Sequence, residues 1–213
     1  YLQQLQKKVQ DRLAPRGGRK HKGFKYTPYM SVTVDSKELD DILNMPEVLS
    51  IEEDKLYSPS LVNSIPQINV DVVWDEGFSG SGQVVAVLDS GVDATHSFLS
   101  EKIVAEACFS TNSSISTALC VDGSTAIGSG KHCIDVNGCY HGTHVAGIAT
   151  GSGDAFSGVA KSANIISVQI FSKFFGSTYC KNTSPCILAF TSDIIQGLEY
   201  VYDLRNTYKI AAA

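Results

Sequence analysis

Two side chains stand out for what they could do together. Asp89 closes the run Gly82-Gln83-Val84-Val85-Ala86-Val87-Leu88, an apolar stretch that reads as a strand buried on both faces. His141 opens His141-Gly142-Thr143-His144-Val145-Ala146-Gly147-Ile148-Ala149, whose small residues suit a helix packed closely on a sheet. A carboxylate at the carboxyl end of a buried parallel strand lies where open α/β sheets place their sites. An imidazole at a helix start beside it could act as a general base. For Asp89 alone, capping a turn is as good an explanation. His144, one turn further on, reads better as a packed core histidine than as half of a metal pair.

Six cysteines are the second chemical feature, all between Cys108 and Cys186. Their order suggests pairing of neighbours: Cys108 with Cys120, Cys133 with Cys139, Cys180 with Cys186. Loops rich in Ser, Gly and Asn around them fit an oxidising compartment. Free buried thiols, or a metal site from His132, Cys133, Cys139 and His141, are the alternatives, although there is no Cys-x-x-Cys.

The elements that must position these groups are legible in outline. Asn164–Ile170 reads as a second apolar strand. Ser192-Asp193 opens a helix with Ile194, Ile195, Leu198 and Val201 on one face, and Lys209–Ala213 starts a further strand. Strand, helix, strand, helix, strand is an α/β, doubly wound, mainly parallel pattern. A different material precedes it. Residues 1–57 hold 10 Lys/Arg and 9 Asp/Glu, whereas the much longer stretch 58–213 holds only 7 and 13. Ser58-Pro59-Ser60 supplies linker chemistry, which sets the boundary near 57–60 and gives units 1–57 and 58–213. In the first unit, Leu2, Leu5, Val9 and Leu13 mark a helix ending before Pro15, and Arg16–Lys22 is a basic solvated loop. Phe24–Tyr26 and Met30–Val34 read as strands, Ser36 as the cap of a helix with Leu39, Ile42 and Leu43 inward, and Val48–Glu53 as a last strand. The order is that of a small ferredoxin-like α+β unit lacking its first strand.

The 213 residues carry 17 Lys+Arg against 22 Asp+Glu, a net charge of −5, which argues against a nucleic-acid surface. No apolar run approaches the ~20 residues needed to span a membrane.

Val85-Ala86-Val87-Leu88-Asp89-Ser90-Gly91-Val92-Asp93-Ala94-Thr95-His96, followed by His141-Gly142-Thr143-His144-Val145-Ala146-Gly147, resembles the subtilisin-like serine peptidases (subtilases). Gly158-Val159-Ala160 resembles them too, with Lys161 where the family has Pro. Residues 1–57 resemble the inhibitor-type propeptide, with Met45-Pro46-Glu47-Val48 and Ile51-Glu52-Glu53-Asp54 as its recognisable end. The resemblance implies that Asp89 is the triad aspartate and His141 the general base. It implies a fold comprising the amino-terminal half of a subtilisin-like domain, and a secreted (extracellular or periplasmic) zymogen acting on peptide or protein substrates. The family's Gly-Thr-Ser-Met-Ala nucleophile motif and its oxyanion Asn have no match in these residues. The nucleophile, and with it the substrate-binding strand, is therefore expected beyond Ala213, with this stretch alone inactive. The propeptide is expected to dock on the catalytic domain with Glu52–Leu61 extended in its cleft, self-cleavage falling between Lys55 and Leu61. No cofactor is required; structural calcium is possible by resemblance, with no ligands assigned. The alternatives are a non-catalytic protease-binding protein and a metal-binding Cys/His domain.

Overall fold

A computed structural model of the chain describes residues 2–13, 21–57, 70–154, 157–181 and 183–213. Two units separate within it, Tyr1–Lys55 and Leu56–Ala213. The expected helix stop at Pro15, most of the basic loop and the Ser58-Pro59-Ser60 join lie outside the described residues.

In the first unit, the apolar spacing of Leu2 to Leu13 produces helix α1 (Leu2–Leu13). Strands β1 (His21–Gly23) and β2 (Met30–Val32) pair antiparallel, and helix α2 (Ser36–Leu43) follows. Val9, Leu13 and Ile42 form the core, with Met30, Val32, Val34, Met45 and Val48 against it. Four sequence expectations are corrected, the first being that Leu43, expected inward on α2, is 55% exposed at its last turn. The first strand lies at 21–23 instead of 24–26, because the buried Gln6 amide takes the carbonyls of Phe24 (2.9 Å) and Tyr29 (2.8 Å) and bends the connection around itself. Asp35, not Ser36, caps α2. Its carboxylate accepts from the backbone N–H of Lys37 and Glu38 while the Glu38 carboxylate accepts from that of Asp35, a reciprocal capping box. Residues 48–53 form no strand: Leu49 is 98% exposed, so the stretch lacks the alternate burial that would hold a ladder.

The second unit contains β3 (Leu56–Tyr57), α3 (Val70–Asp75), β4 (Val84–Asp89), β5 (Ile103–Cys108), β6 (Ser116–Ala118) and α4 (His141–Thr150). It continues through β7 (Asn164–Gln169), β8 (Phe171–Phe174), α5 (Ser177–Cys180), β9 (Cys186–Phe190), α6 (Thr191–Asp203) and β10 (Ile210–Ala212). Four strands in the order β10-β4-β7-β5 make a wholly parallel sheet. Alternation along β4 and β7 sorts their side chains to two faces. Val87 and Ile165 pack with Ala146 of α4; Val84, Ala86, Ile166 and Val168 pack with Val201 of α6. Helices therefore cover both faces, the α/β arrangement read from the sequence.

A second, antiparallel sheet in the order β3-β9-β8-β6 was not anticipated, nor was β5. β5 carries the buried Glu106 in mid-strand, where its carboxylate accepts from the Gly128 N–H and interrupts the apolar run. Three disulfides join Cys108–Cys120, Cys133–Cys139 and Cys180–Cys186, the pairing that the cysteine order suggested. Both cysteines of the metal alternative are consumed by one of them.

Candidate active site

β4 delivers Asp89 to the carboxyl end of the parallel sheet, at the strand where the order reverses: β7 and β5 lie on one side, β10 on the other. α4 begins at His141 and packs on the same strand. The two side chains meet. His141 Nδ1 lies 2.8 Å from Asp89 Oδ2 and 2.9 Å from Oδ1. A carboxylate only accepts, so the proton between them belongs to Nδ1. That tautomer leaves Nε2 with a lone pair, and among the described residues Nε2 is buried with no hydrogen-bond partner. An imidazole oriented by a carboxylate, its other nitrogen free to accept, is arranged to take a proton from a third group.

Close backbone approach makes this geometry possible. A Cβ at Gly142 would lie 3.1 Å from the Cβ of Asp89 and would collide with the carbonyl oxygen of Gly91. Gly91 has φ +84°, and a Cβ there would enter the Lys131 backbone. Glycine at both positions lets the turn after β4 and the first turn of α4 touch. Ser90, fully buried between them, was not singled out by the sequence reading. Its N–H donates to Asp89 Oδ1 (2.6 Å), and its hydroxyl donates to the Cys139 carbonyl and accepts from the Gly142 N–H, both at 3.0 Å. The partners lie 49 and 52 residues away, so nothing local betrayed the role.

His144 does not pack in the core as expected. It is exposed, on the side of α4 away from the sheet. Asp93 sits nearby, its N–H donating to Thr143 Oγ1 and its carboxylate accepting from the Thr95 hydroxyl at 2.6 Å. That hydroxyl holds the Asp93 carboxyl below the usual range; burial opposes the shift, while the Thr95 N–H and the neighbouring His132 and His96 add to it. Among the described residues no group of three or more His, Cys, Asp or Glu side chains is placed to hold a metal ion, so no step is assigned to calcium. No described helix is long and apolar enough to cross a membrane.

The chain is similar to known proteins in sequence. Residues 80–184 match the Peptidase_S8 model, described as the subtilase family. Subtilisin E of Bacillus subtilis (strain 168) is 29% identical over 198 residues, which cover 91% of this chain and 44% of that protein. Alkaline serine exoprotease A of Vibrio alginolyticus is 29% identical over 170 residues, 79% of this chain and 26% of that one. A solved structure, the CspB protease of Clostridium perfringens, aligns with a TM-score of 0.45 and 23% identity over 67% of this chain and 30% of that one. Over the segment bearing Asp89 and His141, the chain is similar to the subtilase family. It spans 44% of the length of the subtilisin it matches.

Proposed function

We propose that the intact protein is the precursor of a subtilisin-like serine endopeptidase. The observation that carries this reading is the Asp89–His141 contact, 2.8 Å at its shorter distance, with Nε2 left without a partner among the described residues. In it, Asp89 holds the imidazole tautomer and stabilises the imidazolium, and His141 Nε2 takes the proton of a serine hydroxyl and returns it to the leaving amine. The serine and its oxyanion donors are assigned to sequence following residue 213, since residues 1–213 contain no Gly-Thr-Ser-Met-Ala motif. Residues 1–213 alone are accordingly inactive in this reading. The substrates are peptides or proteins, and the chemistry needs no cofactor.

Residues 1–57 are read as a propeptide that aids folding and then blocks the cleft. The antiparallel pairing of Leu56 with Phe190 and Tyr57 with Ala189 supports an extended, strand-adding course for the end of that segment. Three disulfides, two of them closing rings between cysteines only six residues apart, favour a secreted protein in an oxidising compartment. The test is proteolysis of a denatured protein substrate by the intact protein and by its Asp89→Asn and His141→Ala variants. Activity in the parent and its collapse in both variants are expected. Binding and inhibition of another protease without turnover would instead establish a non-catalytic protease-binding protein.

A further inference from the structure

Helix α4 starts without a side-chain cap of its own: Tyr140 occupies the capping position and makes no such bond. A helix start leaves several N–H groups unpaired, and here one of them, Gly142, is satisfied from outside by the Ser90 hydroxyl. Ser90 is in turn gripped at two points by a single small ring. The Cys133 N–H donates to the Ser90 carbonyl (3.1 Å), and the Cys139 carbonyl accepts from the Ser90 hydroxyl (3.0 Å). Cys133 and Cys139 are bonded to each other, with Cα atoms 4.9 Å apart, and are 4% and 0% exposed. The ring also packs through Val136 on the main core cluster. Its last residue is two positions before His141, whose own N–H donates to the Gly138 carbonyl inside the ring (3.0 Å).

We infer that the Cys133–Cys139 ring is a positioning device for the Asp89–His141 pair, acting through Ser90. The inference rests on the proposed peptidase reading for its functional meaning. One end of the ring holds the residue that donates to Asp89, the other holds the N–H of His141, and the disulfide fixes the distance between them. Without the covalent closure the backbone from 133 to 139 gains conformational freedom, and the Cys133 N–H and Cys139 carbonyl no longer hold Ser90 at fixed separation. Errors near 1 Å in such a pair cost up to about 100-fold in rate. Ser90 and the two cysteines touch no reacting atom; their role is to set where the carboxylate and imidazole meet.

The experiment uses the intact protein and five forms: parent, Cys133→Ala/Cys139→Ala, Ser90→Ala, Ser90→Thr, and Cys108→Ala/Cys120→Ala as a control for disulfide loss in general. Two quantities are read well below each form's melting temperature: the proton resonance of His141 Nδ1–H, and kcat with KM on a peptide substrate. The ring variant and Ser90→Ala should broaden or lose the resonance. They should also lower kcat on the order of 10- to 100-fold with KM nearly unchanged. Ser90→Thr, which keeps the hydroxyl, should retain both. The control should melt earlier and keep the resonance. A sharp resonance and full kcat in the ring variant would overturn the inference, as would equal loss in the control. Should the ring variant not fold, an undisturbed resonance in Ser90→Ala overturns it alone. An intact protein without peptidase activity would refute the proposed function, while the resonance comparison would still decide the positioning role.

Discussion

At the scale of single residues, the Asp89 carboxylate meets His141 Nδ1, and Ser90 links the two segments: its N–H donates to Asp89 Oδ1 and its hydroxyl accepts from the Gly142 N–H. Asp89→Asn replaces an acceptor with a group that can favour the wrong tautomer. Under the proposed function it should cut kcat of the intact protein by about 10⁴-fold. His141→Ala removes the proposed base and under the same reading should cost on the order of 10⁶-fold. Steady-state kinetics checks both. Asp93 gives a pH prediction. Its carboxyl is held below the usual range chiefly by the Thr95 hydroxyl. A carboxyl depressed in the folded state stabilises above its ordinary range, and that stabilisation is lost as pH falls through the depressed value. Thr95→Val should therefore raise the Asp93 titration seen by NMR and weaken the fold at neutral pH. Asp93 is only partly shielded, so the cost stays below about 1 kcal/mol. Asp89 and His141 were legible because each sits at the edge of a distinctive local string. Ser90 and the exposed His144 were not, since their surroundings are set by segments some fifty residues distant or by the side of α4 that meets the sheet.

Elements bring these residues together by approaching more closely than side chains would normally allow. The first turn of α4 sits on the end of β4 through Gly142, whose Cβ position is 3.1 Å from that of Asp89. Gly142→Ala should destabilise by about 1–3 kcal/mol, since neither backbone can yield without moving the pair. Chemical denaturation measures that loss, and activity should fall alongside it. Ile166, fully buried at the centre of β7, should cost about 2–5 kcal/mol when cut to alanine. The long apolar runs of β4 and β7 declared themselves because both faces are covered by helices. β5 was hidden by Glu106, whose partner, the Gly128 N–H, comes from a loop. The second sheet was hidden because its strands are three to five residues long, or two for β3, and are stabilised by one another instead of by any local pattern. In the first unit the Gln6 amide displaced β1 by claiming the Phe24 and Tyr29 carbonyls, a contact that spacing along the chain could not reveal.

For the whole molecule, the fall in charge density after residue 57 is what the proposed propeptide reading would explain as a difference in job. The charged unit is small, with a core of Val9, Leu13 and Ile42, and suits a removable folding aid. The larger unit carries both four-stranded sheets, the disulfides and the Asp89–His141 pair. If the first is a propeptide, amino-terminal sequencing of the mature protein should begin between residues 56 and 61, after cleavage somewhere from Lys55 to Leu61. The family resemblance was legible from two strings, at Asp89 and at His141. The capping, the Ser90 bridge and the second sheet needed long-range contacts that no string contains. The most direct test of the central claim is to label the intact protein with an active-site-directed phosphonate and map the adduct by mass spectrometry. The account predicts one labelled serine, following residue 213 in a Gly-Thr-Ser context, with labelling abolished by His141→Ala. An adduct on a serine within residues 1–213, or none on the folded intact protein, would contradict it.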